Sequence, residues 1–191
     1  MSKTKDIDAR FEKDLASFSK STANRIIFHL GNPSRKVLSA GVANKPIKLY
    51  GNKVAKKINK HGYSASELKG FSKAVRNPIA VFKTKTDNGS FAILTDLRTK
   101  NGHFLVAINI GKGNDADYNI VLSVFGKSHI NVVDWINRGY LRYVDKTKAL
   151  KYLHSAAPIA AASNIQELYS AAKIINNFRN NNTSGQGFSV G

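Results

Sequence analysis

His61 is the side chain in this sequence best placed to move a proton. It closes the run Lys53, Lys56, Lys57, Lys60 in GNKVAKKINKH, and it sits in the break between two stretches with helical spacing. Ammonium groups beside an imidazole draw in phosphate and favour its neutral form. Further on, Thr95, Ser123 and Lys127 fall on strands or strand ends, where a rigid scaffold holds donors well. A base, an acid and donors that meet charge on phosphorus are enough to break RNA, because RNA supplies its own nucleophile, the 2′-hydroxyl. The ordinary alternative is a solvated loop histidine and three solvent-facing sheet residues. His29, His103, His129 and His154 lie in strand, helix or linker stretches and read as structural.

Other chemistries have little to work with. Asp96 stands alone at a strand end, and Asp115 and Asp117 share a polar loop, so the carboxylates that a two-metal site gathers are not in evidence. Gly111-Lys112-Gly113 is only a fragment of a phosphate-cradling G-x-x-x-x-G-K-[ST] loop. The five histidines lack ligand spacing and there is no cysteine, which excludes disulfides and thiolate metal sites. No metal and no cofactor is expected.

The formal net charge is +18 in 191 residues. It is uneven: the first 78 residues carry +12 and the remaining 113 carry +6. Such a field favours RNA, DNA or anionic lipid as partner, against the plainer reading of a generally basic, solvated surface. Lipid is disfavoured because the basic stretch 51–60 lacks the bulky aromatic face of interfacial helices. No apolar run approaches the roughly 20 residues that span a bilayer. The opening MSKTKDIDARFEKD has acids and no apolar h-region, so a secretory signal is not expected.

The elements that must hold these groups can be read from periodicity. Ile7, Phe11, Leu15 and Phe18 mark an amphipathic helix over 6–20. Residues 45–50 alternate beside Pro46 and read as a short edge strand at best. Helices are expected over 51–60, with Val54 and Ile58 inward, and from Ser64, whose spacing to Glu67 is that of a capping box, to a stop at Pro78. Four strands come next, over 79–84, 91–97, 103–110 and 118–125, separated by Asp87-Asn88-Gly89, Asn101-Gly102 and the loop 111–117. Their short connections predict an antiparallel meander. Helices are expected again over 130–137, 145–154 and 164–179, and the run after Asn180 is too polar and glycine-rich to pack. The class is α+β: N-terminal helices packed on a four-stranded antiparallel sheet, with additional C-terminal helices.

The segments LGNPSRKVLSAGV (30–42), KPIKLY (45–50), KHGYSASELKG (60–70), NPIAVFKTKT (77–86), FAILTDL (91–97), HFLVAINI (103–110) and WINRGYLRYVDKTKALKYL (135–153) resemble, in order and spacing, the phage MuF C-terminal domain. That domain is grouped with the barnase, EndoU, colicin and RelE-like nucleases of phages and mobile elements. The resemblance implies a nuclease domain over 28–155, preceded by a helical extension (1–27) and followed by a helix (156–179) and a tail (180–191). It implies a metal-independent endoribonuclease acting by 2′-hydroxyl transesterification in the host bacterial cytoplasm, carried in a virion or acting as a toxin with a separate acidic immunity protein. His61, Thr95, Ser123 and Lys127 fall at the corresponding positions. In the resulting scheme His61 is the general base or acid, Ser123 and Thr95 hold the scissile phosphate, and Lys127 neutralises its charge. Lys53, Lys56, Lys57, Lys60, Lys83 and Lys85 would bind the nucleic acid. The alternative is a non-enzymatic basic protein that travels with phage DNA or the capsid.

Overall fold

The computed structural model describes residues 3–84, 89–99, 102–127, 129–156 and 165–180. The expected meander is there: β3 (Ala80–Lys83), β4 (Phe91–Thr99), β5 (Gly102–Ile110) and β6 (Asn119–Lys127) pair in succession, all antiparallel. Val81 lies opposite Ile93, Ile93 opposite Val106, and Val106 opposite Val124, so one apolar row crosses four strands.

The sheet does not stop at four strands. β7 (Leu141–Val144) adds antiparallel to the free side of β3. On the other side β2 (Ile47–Tyr50) runs parallel to β6, and β1 (Ile27–Gly31) pairs antiparallel with β2. The order is β1-β2-β6-β5-β4-β3-β7. The expectation of a four-stranded sheet is therefore corrected to seven, and residues 47–50 form an interior strand, not an edge. Pro46 does not prevent this because it sits just before the strand, and its carbonyl accepts the Asn119 N–H at 2.8 Å.

Period-two alternation gives the sheet two apolar faces, and each is covered by helices. Phe28, Leu30, Ile47, Leu49, Val81, Ile93, Phe104, Val106, Val121 and Val124 belong to the first core. Against them lie α1 (Lys3–Ala16), α2 (Arg35–Leu38), α3 (Gly51–His61) and α4 (Phe71–Arg76), which insert Phe11, Leu15, Val37, Val54, Phe71 and Val75. Phe28, Phe71 and Phe104 are fully buried, worth about 1.5–3 kcal/mol each in transfer free energy. The opposite face supplies Ala80, Phe82, Ala92, Leu94 and Leu105 to a second core under α5 (His129–Asn137), α6 (Lys146–Ala156) and α7 (Ile165–Asn177).

Two helices depart from expectation. The N-terminal helix covers 3–16, not 6–20; Phe18 lies beyond it and its ring packs 5.7 Å from that of Phe28. The single helix expected from Ser64 is a 3-10 turn, Ala65–Leu68, followed by α4, because Gly70 between them takes the left-handed conformation at φ +78°. The pairing expected at its start holds, with the Glu67 carboxylate accepting the Ser64 N–H at 2.6 Å. The 85–88 part of the expected hairpin turn and the polar run 181–191 lie outside the described residues.

Candidate functional site

α3 starts abruptly because β2 leads straight into it, with Tyr50 as its N-cap. Only glycine fits the first position: a Cβ on Gly51 would stand 2.6 Å from the Ala23 carbonyl oxygen. The helix buries Val54 and leans Ile58 on the first core, packing against β6 and β2. Its other side carries Lys53, Lys56 and Lys60, all exposed, and Lys57, half-buried. Burial first, then the charges of Lys60, Lys56 and Lys53, lower the pKa of the Lys57 ammonium. Among the described residues no acid makes an ion pair with any of the four. The row is an uncompensated stripe of positive charge, as the sequence predicts.

His61 is the last residue of α3, ahead of the left-handed Gly62, whose N–H donates to the Ile58 carbonyl at 2.9 Å. The next side chain fixes where the helix ends. The Tyr63 hydroxyl donates to the Val124 carbonyl of β6 at 3.3 Å, and its ring meets that of Phe104 edge-on at 5.1 Å. Burial raises the pKa of this phenol far above its ordinary value. The end of α3 is thus tied to β6 three residues before Lys127, which closes that strand opposite His103. The side chains of His61 and Lys127 lie outside the described residues, as does Lys85.

Thr95 is at the same end of the sheet. It is fully buried, and its hydroxyl donates to the Phe104 carbonyl at 3.0 Å. Ser123 is not on that side. It pairs with Ala107 beside a β-bulge, and it points away from Val124, which is in the first core. The helix ending in His61 and the side chain of Ser123 therefore occupy opposite faces of the sheet. Lys83 is exposed at the end of β3, remote from α3 in strand order.

A further polar cluster lies on the outward side of β1 and β2. His29 alternates with the buried Phe28 and Leu30, and pairs in register with Lys48, which alternates with the buried Ile47 and Leu49. Partial burial first, then the charges of Arg10 and Lys48, lower the pKa of His29. Lys48 Nζ sits 3.3 Å from the Tyr118 ring centroid and 3.4 Å from the Asp115 carboxylate, which also accepts the Tyr50 hydroxyl at 2.7 Å. These contacts pin the β5–β6 loop to β2. The alternations I-F-H-L and I-K-L-Y are the signal by which sequence could have found them. Among the described residues no three of His, Asp and Glu gather as metal ligands do, and no helix is long and apolar enough to cross a membrane.

Fold and charge define an α+β domain: a mixed seven-stranded sheet between two helical layers, with a cationic helix ending against its central meander. The model of the Phage MuF-C-terminal domain family matches residues 52–151, more than half of the chain, and the protein belongs to that family. The match runs from the second residue of α3 into α6 and leaves β1 and β2 outside it. No curated protein and no solved structure matches the chain.

Proposed function

We propose that this domain binds RNA along the lysine row of α3 and cleaves it at the C-terminal end of that helix, as a phage-derived endoribonuclease of the barnase, EndoU, colicin and RelE-like group. The observation that carries this reading is the Tyr63–Val124 hydrogen bond, which ties the helix end where the proposed base falls to the strand that ends in the proposed phosphate-binding lysine. The 2′-hydroxyl attacks phosphorus as His61 takes its proton. The P–O5′ bond breaks with a proton delivered to O5′ from solvent water, leaving a 2′,3′-cyclic phosphate and a 5′-hydroxyl, and the hydroxide so formed takes the proton from His61. Lys127 meets the charge that grows on the non-bridging oxygens. Thr95 acts through Phe104 as a positioning residue, and Ser123, on the other face, takes no part. No metal ion is required by this chemistry.

The test is incubation with RNA in excess EDTA, beside His61→Ala and Lys127→Ala. Cleavage to cyclic-phosphate ends that falls at least 100-fold in His61→Ala supports the reading, since a positioned acid or base contributes about 10²–10⁴-fold. Cleavage that needs magnesium, or that persists unchanged in His61→Ala, overturns it.

A second reading is favoured by two observations: the Thr95 hydroxyl is engaged inside the sheet, and Ser123 faces away from α3. In that reading the same lysine row grips nucleic acid without turnover, as a virion or phage-associated binding protein. Steeply salt-dependent binding of DNA, with no RNA cleavage under any condition, would select it.

A further inference from the structure

We propose that the hollow between the end of β3 and α5 is a second nucleic-acid contact, a pocket for one unpaired nucleobase of RNA and its phosphate. The identity of the ligand rests on the RNA reading above; the pocket itself does not. Its volume is about 290 Å³, and Trp135, Tyr140, Lys83 and Arg138 stand around it with Phe82 below.

The arrangement is built, not incidental. Trp135 meets the buried Phe82 edge-on, with ring centroids 5.5 Å apart, so the second core fixes the indole. The Tyr140 N–H donates to the Trp135 carbonyl at 3.1 Å, and the Lys83 N–H donates to the Tyr140 carbonyl at 2.9 Å. Backbone bonds therefore tie both aromatic residues and the lysine to one another, and the indole and the phenol stay half-exposed over the hollow. Every base has a π-face that such rings can stack.

The charge fits a phosphate. Arg138 follows Asp134 by one helical turn and donates its Nε–H to that carboxylate at 2.6 Å. Asp134 also lines the pocket, so the three charged groups sum to +1. A guanidinium has five N–H donors; one goes to Asp134 and another side-chain hydrogen bond ties Arg138 to the Tyr140 hydroxyl, which leaves donors for a phosphate. Among the described residues Lys83 has no acid at ion-pair distance. Stacking surface beside two cations is the chemistry that recognises a nucleotide, and neither a bare phosphate nor an apolar ligand uses both halves.

The chain has one tryptophan, so its emission reports on this pocket directly. The experiment titrates the full chain with a ribonucleoside monophosphate, with ribose 5-phosphate, and with a short end-labelled 2′-O-methyl oligoribonucleotide that 2′-hydroxyl attack cannot cut. Saturable quenching by the mononucleotide and the oligonucleotide, and none by ribose 5-phosphate, is expected. Lys83→Ala with Arg138→Ala should weaken the mononucleotide about tenfold, the loss of one charge-assisted contact. An unchanged emission maximum in the free variant checks that Trp135 still packs on Phe82. Equal quenching by ribose 5-phosphate overturns base recognition. Quenching by the mononucleotide alone overturns the assignment to RNA. Oligonucleotide binding, seen by anisotropy, with unchanged tryptophan emission overturns the pocket and leaves the RNA reading standing; loss of both signals overturns the two together.

Discussion

The hydroxyl of Thr95 and the carbonyl of Phe104 meet at 3.0 Å inside the sheet, where the pairing of β4 with β5 shifts register. The irregular register between Leu94 and Arg98 means that this side-chain bond supplies local order at the break. Thr95→Val keeps the shape and removes the donor, so a cost of about 1–3 kcal/mol is expected from the stranded acceptor. Thr95→Ser should recover most of it. Urea unfolding of the two variants measures the difference, and RNA binding at low denaturant should be the same in both.

The bond from Tyr63 to Val124 makes a separate prediction. Tyr63→Phe keeps the ring against Phe104 and loses about 0.5–1.5 kcal/mol with the hydrogen bond. If the end of α3 is held for chemistry, cleavage should fall by more than this stability loss explains, while binding along the lysines stays level. Single-turnover rates at saturating protein, beside a melting curve, separate the two effects.

Replacing Lys53, Lys56, Lys57 and Lys60 by Gln together tests the stripe. Four neutralised contacts should flatten the slope of log K against log salt by about 3, at roughly 0.7 per phosphate on a single strand. Lys36, which already pairs with Asp145 at 3.2 Å, is the control, and Lys36→Gln should leave the slope alone.

His29 sets a pH dependence. Its folded pKa lies below its ordinary value, first from burial and then from Arg10 and Lys48, so the unfolded chain binds this proton more readily. Its contribution to stability is complete above the unfolded value near 6.5 and is lost as pH falls through the lower, folded pKa. His29→Gln should reduce that acid-side decline. Chemical denaturation at several pH values below neutrality checks it; an unchanged slope in the variant would sink the assignment.

Gly51→Ala should be among the more destabilising of small substitutions. Its Cβ would meet backbone, the Ala23 oxygen at 2.6 Å, which cannot swing aside as a side chain would, and overpacking of that kind costs about 1–3 kcal/mol. Thermal melts measure it.

Much of this architecture was legible in the order of residues. The meander was readable because Phe104, Val106 and Ile108 alternate over a full strand, and α3 because Val54 and Ile58 repeat at helical spacing. β1 and β7 were harder to read, since IFHLG and LRYV alternate over only four or five residues and gain their partners only through distant pairing with β2 and β3. The lysine row was legible because charge is a property of composition. That Ser123 points away from Val124 was legible in the alternation; that Leu122 leaves the core and Val121 enters it was not, because the bulge near Leu122 adds a residue to one strand only. Thr95 looked like a surface donor for the same kind of reason: its hydroxyl is satisfied by a carbonyl nine residues away that no local pattern announces.

The family match begins one residue into α3, yet the strand that launches α3 and the one beside it lie upstream. A fragment cut to the matched boundaries would strip β2 from Asn119 and Ile120 of β6, take Phe11 from the ring of Phe71, and remove Phe28, Leu30, Ile47 and Leu49 from the first core. Such a fragment should associate with copies of itself rather than behave as a working unit, so anyone expressing this domain should start no later than the beginning of β1.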